Sequence, residues 1–249
     1  MIETREVNDV VVVEMAHGKV NAIDKDLARA LTTTLADLAE DRRPVVLTGR
    51  GPCFSAGVDL RRLSGDGPEY VKEFMPALTE AFLAVFDYPA PLVAAINGHV
   101  LAGGYVIACG ADWRVMADGS GQVGLTELLA GVPFPTAALE IVRFAVGEPM
   151  CRDLVLTGRR FNSSLALEAK LVDEVVPGSE LLDVAVVQAA HLDGIPAATY
   201  ELSKLQLHRT ASDAIKQTTP RFEPQVNETW ASKDILRFVA DYIDRVTGK

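Results

Sequence analysis

The sequence predicts an α/β protein with a mostly parallel sheet, followed by a helical C-terminal region. Apolar, strand-like runs alternate with helical patterns up to residue 177, and only helical patterns follow. Such alternation is typical of parallel strands joined by crossover helices. The chain has 249 residues, of which 49% are hydrophobic, so it is long enough to bury a large core.

The first part of the chain gives three element signals. Residues 10–15 are rich in valine and predict a strand. Asp24 is positioned to cap a helix over residues 27–38, because its side-chain oxygen can accept a hydrogen bond from the first turn. Residues 44–48 are mostly apolar, which favours a strand buried on both faces.

The next part contains a helix and another buried strand. Asp59 is positioned to cap a short helix, and a polar loop is expected over residues 64–68. Residues 70–86 carry apolar side chains at helical spacing, and Pro76 is expected to kink or divide this helix. Residues 91–96 predict a strand.

Strand and helix signals continue into the third quarter of the chain. Residues 113–116 and 122–124 are strand-like. A helix is predicted over residues 136–146, with Gly147 as its natural end. Residues 150–156 begin a further unit.

The last part is mainly helical. A helix is predicted over residues 163–171 and a late strand over residues 172–176. The pattern over residues 181–246 is helical, with weak points at residues 194–196 and 218–224, where proline occurs.

Charge and hydropathy exclude two classes of partner. The net charge is −10, which argues against binding to nucleic acid or to an anionic membrane surface. The N-terminus is polar and lacks the layout of a signal peptide, and no run of about 18 apolar residues predicts a membrane span. We therefore expect a cytoplasmic protein.

Cysteine and histidine spacing gives no sign of a disulfide framework or a metal site. Cys53, Cys109 and Cys151 are scattered and lack CxxC spacing, so they are expected to be reduced thiols. Cys53 and Ser55 have no identifiable base beside them, and a structural role is favoured for both. The histidines are likewise dispersed: His17, His99, His191 and His208.

The chemically suggestive stretch is the pair Gly103-Gly104, which follows an apolar run. A helix that starts there directs unpaired N–H groups outward, where they attract a developing negative charge. Taken alone, the pair favours close helix packing. Glu127, a lone acid in an apolar setting, follows after two short strands.

Three blocks together resemble the enoyl-CoA hydratase/isomerase (crotonase) family. They are residues 54–60 (FSAGVDL), residues 97–104 (NGHVLAGG) and residues 156–177, and they occur in the family's order and separation. The resemblance extends from near the N-terminus to about residue 180. Lys170 departs from it, because the family usually has glycine there.

The resemblance implies a crotonase-like (ClpP/crotonase) spiral of ββα units. Residues 1–195 are expected to form the core domain with an acyl-CoA site. Residues 196–249 are expected to form a C-terminal helical trimerisation region, giving a homotrimer or hexamer. No cofactor is expected apart from the CoA of the thioester substrate.

The resemblance also implies an oxyanion hole made by the backbone N–H groups of Val58 and Gly103. There an acyl-CoA thioester forms an enolate, and loss of one such donor typically raises the barrier by about 3 kcal/mol. CoA is expected to contact Lys19, Val20, Ala22, Ser55, Ala56, Asp59, Leu60 and Arg61. Arg62 is a further candidate phosphate partner. The acyl pocket is expected to include Leu101, Gly104, Tyr105, Val106, Thr126 and Gly131.

The number of carboxylates distinguishes the family's reactions. Its hydratases activate water with two glutamates, and here the first position is Val106 whereas the second is Glu127. A single carboxylate suits transfer of a proton from C2 to C4, as in Δ3,Δ2-enoyl-CoA isomerases. Dienoyl-CoA isomerases carry a further acid where this chain has Pro135.

Two alternatives stay open at this point. Tyr105 or Glu140 would supply a second polar group in an enoyl-CoA hydratase. In the other alternative, a non-catalytic protein binds acyl-CoA as a carrier or scaffold. The bulky segment 132–138 replaces a glycine-rich run of many family members, which suggests a reshaped acyl pocket.

Overall fold

The structure is a computed structural model that describes residues 1–248, and it contains two β-sheets surrounded by helices. The strands are β1 (Ile2–Val7), β2 (Val10–Met15), β3 (Val45–Gly49), β4 (Cys53–Ser55), β5 (Leu92–Ile96), β6 (His99–Leu101), β7 (Trp113–Ala117), β8 (Gln122–Gly124), β9 (Arg160–Asn162) and β10 (Glu174–Val176). The helices are α1 (Lys25–Glu40), α2 (Leu60–Phe86), α3 (Gly103–Cys109), α4 (Thr136–Val146), α5 (Glu148–Thr157), α6 (Ser163–Glu168), α7 (Leu181–Asp193), α8 (Ala197–Ala231) and α9 (Lys233–Thr247). A 3₁₀ turn spans Leu128–Ala130.

The six-stranded sheet has the order β1-β2-β3-β5-β7-β10. All neighbours in it are parallel except β1 and β2. Strands β3 and β5 are buried along their whole length, because α1 and α2 cover one face of the sheet and α7 covers the other. This double cover explains why these strands are apolar at every position.

The second sheet has the order β4-β6-β8-β9 and arises from a repeated ββα unit. In each unit the first strand (β3, β5 or β7) joins the large sheet, and the second (β4, β6 or β8) joins the small one. The helices α2, α3 and α4 then follow. Strands β4, β6 and β8 are mutually parallel, so their carboxyl ends lie at one edge. The predicted α/β arrangement with a spiral of ββα units is confirmed.

Local capping agrees with the sequence at several helix ends. The Asp24 side chain accepts a hydrogen bond from the Leu27 N–H at 2.8 Å, and the Asp59 side chain accepts bonds at the start of α2. Helix α4 covers the predicted residues and ends at Gly147. Lys170 adopts a φ of 57°, the left-handed conformation that explains why glycine is usual there.

Prolines were the main source of wrong predictions. Pro76 lies inside α2 without dividing it. The break in α2 at Gly67, where φ is 75°, falls within the loop predicted over residues 64–68, although the rest of that segment is helical. Helix α8 continues without a break through residues 218–224, with two prolines inside it. All three prolines are exposed, so water satisfies the carbonyl groups that lose their partners.

Strand β1 was not predicted from the sequence. It is an edge strand that pairs with β2 in antiparallel register, and its middle residues are exposed and charged or polar. A strand with neither face in the core lacks the apolar alternation that identifies strands in a sequence.

The C-terminal helices separate at the weak point predicted over residues 194–196. Helices α8 and α9 pack on α2 and α4 of the preceding part of the same chain. The division at residue 195 and the trimerisation role stay predictions. Among the helices of residues 1–248, none is alone long and apolar enough to cross a membrane. Helices α7 and α8 pass that test only as a pair bent by 102°.

Candidate active site

Three predicted site residues follow the strands β4, β6 and β8 at equivalent places. Val58 comes after β4, Gly103 after β6 and Glu127 after β8. Because the three strands are parallel, the loops at their carboxyl ends meet at one edge of the small sheet. The repeated ββα unit thus brings together residues that are far apart in the sequence.

The first loop is held by a network of hydrogen bonds around Ser55. The Ser55 hydroxyl donates to the Asn21 carbonyl oxygen at 2.7 Å and accepts from the Gly57 N–H at 3.2 Å. The Asn21 amide in turn donates to the carbonyl oxygens of Cys53 and Phe54 at 2.9 and 3.2 Å. Ser55 therefore has a structural role, and its buried hydroxyl is not available to a ligand.

The second loop carries an unusual backbone conformation at Ala102. Its φ of 50° and ψ of −130° are rare for a residue with a Cβ, and such strain is typical of functional loops. The Ala102 N–H donates to the Gly124 carbonyl oxygen at 2.8 Å, which ties this loop to β8. The next residue, Gly103, begins α3.

The backbone N–H groups of Val58 and Gly103 have no hydrogen-bond acceptor within residues 1–248. The loops that carry them are in contact, since a Cβ built on Gly57 would lie 3.2 Å from the Gly103 nitrogen. A Cβ built on Gly103 would lie 3.7 Å from the Val58 side chain. Two free donors in adjoining loops suit an oxyanion.

The two glycines of the pair have different roles. A Cβ on Gly104 would lie 2.6 Å from the Ser55 carbonyl oxygen, so a side chain does not fit there. At Gly103 the nearest neighbours would lie at 3.4 Å, an ordinary contact distance. Gly104 therefore permits close packing of the loops, whereas Gly103 is notable for its unpaired backbone N–H group.

A small cavity of about 40 Å³ lies beside these loops. Its walls are Ala56, Val58, Leu60, Ala102, Thr126, Glu127, Ala130, Val132 and Trp230. Among these residues, Glu127 is the only one with an ionisable side chain. The cavity is otherwise apolar apart from the Thr126 hydroxyl and the Trp230 indole.

Glu127 is almost entirely buried, with 6% of its surface exposed. Burial raises its pKa to about 8, and the nearby backbone N–H groups of Glu127 and Thr126 offset only part of that rise. Its Oε2 has no hydrogen-bond partner within residues 1–248. The Glu127 carbonyl oxygen accepts from the N–H groups of Ala130 and Val132 at 3.0 and 3.1 Å, which fixes the backbone. The result is a buried carboxyl group with a free oxygen on a backbone held by hydrogen bonds.

The segments predicted to contact CoA lie side by side. The Ala56 N–H donates to the Val20 carbonyl oxygen at 3.0 Å, and Ile23 forms a bridge with Val58. Lys19 and Arg61 are exposed near these segments. Arg62 differs from the expectation for a free phosphate partner, because its guanidinium pairs with Asp24 and Asp26. Ala22, Asp59 and Leu60 are half-buried in the same region.

Of the residues predicted for the acyl pocket, Thr126 alone lines the cavity. Tyr105 is fully buried and donates its hydroxyl to the Leu171 carbonyl oxygen at 2.9 Å, so it faces away from the cavity. Val106 is buried in the core. The Gly131 backbone lies under the Phe238 ring, Gly104 packs against Ser55, and Leu101 is the last residue of β6.

Neither predicted source of a second polar group reaches Glu127. The Tyr105 hydroxyl is occupied by Leu171, and the Glu140 carboxylate pairs with Arg143 on α4. Ala102, Ala130 and Trp230 line the cavity but were not predicted as site residues, whereas Val132 belongs to the segment 132–138 that was expected to reshape the acyl pocket. Trp230 comes from the end of α8, and no local pattern in the sequence links it to Glu127.

Comparison with known proteins agrees with this architecture. The family model described as enoyl-CoA hydratase/isomerase matches residues 5–245. The mitochondrial enoyl-CoA delta isomerase 1 of Mus musculus is 31% identical over 255 aligned residues, covering 100% of this chain and 88% of the relative. The probable enoyl-CoA hydratase EchA17 of Mycobacterium tuberculosis is 34% identical, covering 72% of this chain and 69% of the relative.

Solved structures give the same result for the fold. The crystal structure of human mitochondrial delta3-delta2-enoyl-CoA isomerase superposes with a TM-score of 0.92 at 24% identity, covering 99% of this chain and 98% of that one. An enoyl-CoA hydratase/isomerase from Mycobacterium paratuberculosis gives a TM-score of 0.85 at 21% identity, covering 96% and 97%. With the family model matched over nearly its whole length, this chain belongs to the enoyl-CoA hydratase/isomerase family.

Proposed function

We propose that this protein is an enoyl-CoA isomerase that moves a double bond from C3 to C2, with Glu127 as the proton shuttle. The observation that carries the proposal is the lone buried carboxyl group of Glu127 in an apolar cavity beside two unpaired backbone N–H groups. The isomerase relative that aligns with the whole chain also supports it.

In the proposed reaction, the ionised Glu127 takes a proton from C2 of a 3-enoyl-CoA. The electron pair of that C–H bond passes to the thioester, and the resulting dienolate oxygen accepts hydrogen bonds from the Val58 and Gly103 N–H groups. The protonated Glu127 then returns the proton at C4, and the double bond re-forms between C2 and C3. Glu127 gives back one proton for the one it takes and exchanges its proton with solvent between the two transfers, so the reaction needs no cofactor beyond the CoA of the substrate.

A raised pKa favours this role. A carboxyl group with a pKa near 8 is a stronger base than an exposed glutamate when ionised, and it remains able to give the proton back. The exposed Lys19 and Arg61 suit the phosphate groups of CoA, which lie outside the apolar cavity in the proposed complex.

Hydration of 2-enoyl-CoA is the second candidate. It is favoured by the Thr126 hydroxyl, a polar group that lines the cavity with Glu127, and by the relative named a probable hydratase. Against it stands the apolar Val106 at the position where the family's hydratases carry their other glutamate.

The deciding experiment follows deuterium from solvent into acyl-CoA. The proposed isomerase converts 3-hexenoyl-CoA to 2-hexenoyl-CoA, seen as conjugated-thioester absorbance, and exchanges the C2 hydrogens. Formation of 3-hydroxyhexanoyl-CoA from 2-hexenoyl-CoA at a comparable rate would instead identify a hydratase. Tight binding of acyl-CoA without any exchange at C2 would identify a non-catalytic carrier.

A further inference from the structure

Trp230 lines the cavity that contains Glu127. Its side chain is 1% exposed and is the only aromatic group among the residues of the cavity wall. It lies in the last turn of α8, in the region that the sequence assigns to oligomer formation rather than to the site. A residue of α8 therefore shares a cavity with Glu127 within the same chain.

The Trp230 ring is held firmly in this place. Its indole Nε1 donates to the Pro133 carbonyl oxygen at 2.8 Å. Pro133 belongs to the bulky segment that replaces a glycine-rich run, and the adjacent Val132 also lines the cavity. On the outer side, Phe238 of α9 covers Gly131, where a Cβ would lie 2.5 Å from its ring. The Trp230 ring cannot move outward without losing these contacts.

The space left inside this wall is small. A cavity needs about 10–15 Å³ to hold one water molecule, so the 40 Å³ here accommodate only a few atoms. In the proposed complex, the thioester oxygen lies between Val58 and Gly103 and the reacting carbons lie beside Glu127. Because Trp230 belongs to the wall of the same cavity, an acyl chain too long for this space meets its ring.

We propose that Trp230 is a specificity-determining residue that restricts this protein to short-chain acyl-CoA thioesters. The inference rests on the proposed function only in taking an acyl-CoA as the ligand. It requires no particular reaction, because the ring limits the length of the acyl chain by occupying the space into which a longer chain would extend.

The test measures binding of butyryl-CoA and decanoyl-CoA, two saturated thioesters, by isothermal titration calorimetry. We expect the wild type to bind butyryl-CoA at least about tenfold more tightly, the scale of discrimination that steric limits in an apolar pocket reach. Trp230→Ala and Trp230→Leu should remove this preference. Trp230→Phe keeps an aromatic ring and should retain it, and Trp113→Leu changes the other tryptophan, outside the cavity, as a matched control.

Two results would overturn the proposal. One is a wild type that binds decanoyl-CoA as tightly as butyryl-CoA, a comparison that needs no variant and is independent of whether Trp230→Ala folds. The other is an unchanged preference in Trp230→Leu. If the length preference depends on Trp230 but 3-hexenoyl-CoA is not isomerised, the proposed reaction is wrong and the role of Trp230 stands.

Discussion

Replacing Glu127 by glutamine should lower activity and raise stability at alkaline pH. The amide keeps the shape of the side chain but cannot accept the C2 proton. Loss of a general base typically reduces a rate about a hundredfold to ten-thousandfold. We therefore expect Glu127→Gln to lose isomerisation of 3-hexenoyl-CoA and deuterium exchange at C2 to that extent.

The stability effect has the opposite sign. The pKa of Glu127 is about 8 in the folded protein against an ordinary value of 4.5, so the folded state binds the proton more tightly. Glu127 therefore lowers the stability of the wild type as pH rises from about 4.5, and this contribution is complete above about 8. About 3.5 pH units at about 1.4 kcal/mol each correspond to at most about 5 kcal/mol. Glutamine does not titrate and avoids this loss.

The measurement is urea unfolding of wild type and Glu127→Gln at pH 5 and pH 9, with C2 exchange assayed on the same samples. Glu168→Gln makes the same chemical change on the exposed surface of α6 and should alter neither property. A variant that is less stable than the wild type at pH 9 would refute the burial of an unpaired carboxyl group. Unchanged exchange would refute its role as the base.

The wild-type pH profile provides an independent check on the same group. At pH 7 about one molecule in ten carries the ionised, reactive form of Glu127. The value of kcat/KM for the isomerase should therefore rise with pH and level off above about 8. A profile that is flat from pH 6 to 9 would contradict a base with this pKa.

The remaining predictions concern the frame around the site. Ser55→Ala leaves a buried N–H without its acceptor, so unfolding free energy in urea should fall by about 1–3 kcal/mol and C2 exchange should slow. Gly104→Ala puts a Cβ against the Ser55 carbonyl oxygen and should abolish exchange, whereas Gly65→Ala has open space around it and should not. Lys204→Met leaves the Asp112 carboxylate, 2.7 Å from the ammonium group in the wild type, without its cation, and should lower unfolding free energy by about 3–5 kcal/mol.

Much of the fold was predictable because its signals are local. Helix α4 was placed correctly because its apolar spacing ends at Gly147, which can adopt the required positive φ. Strand β1 and the uninterrupted helix α8 were not, since an exposed edge strand has no apolar face and exposed prolines are tolerated by tertiary packing. These errors arise where the fold overrides local preference.

The residues of the candidate site also fall into those that local sequence motifs predict and those that depend on tertiary packing. Val58, Gly103 and Glu127 follow from motif resemblance, because each sits in a short, characteristic loop. Trp230 could not be identified from the sequence. Its position in the cavity of Glu127 depends on how α8 packs against the rest of the chain. Tyr105 shows the opposite error. Its position close to Gly103 in the sequence predicted that it lines the acyl pocket, but in α3 its hydroxyl points to the Leu171 carbonyl oxygen.

In the two proposals together, the cavity wall at Trp230 links the length of the acyl chain to the strength of Glu127 as a base. Glu127 has a raised pKa because water is kept from its carboxyl group, and the bulky ring is one of the groups that exclude that water. A wider cavity would admit longer acyl chains, but it would also admit water to Glu127 and weaken the base. If both proposals hold, the same wall that restricts the length of the acyl chain also keeps water from Glu127, so that one carboxyl group can remove and return a proton.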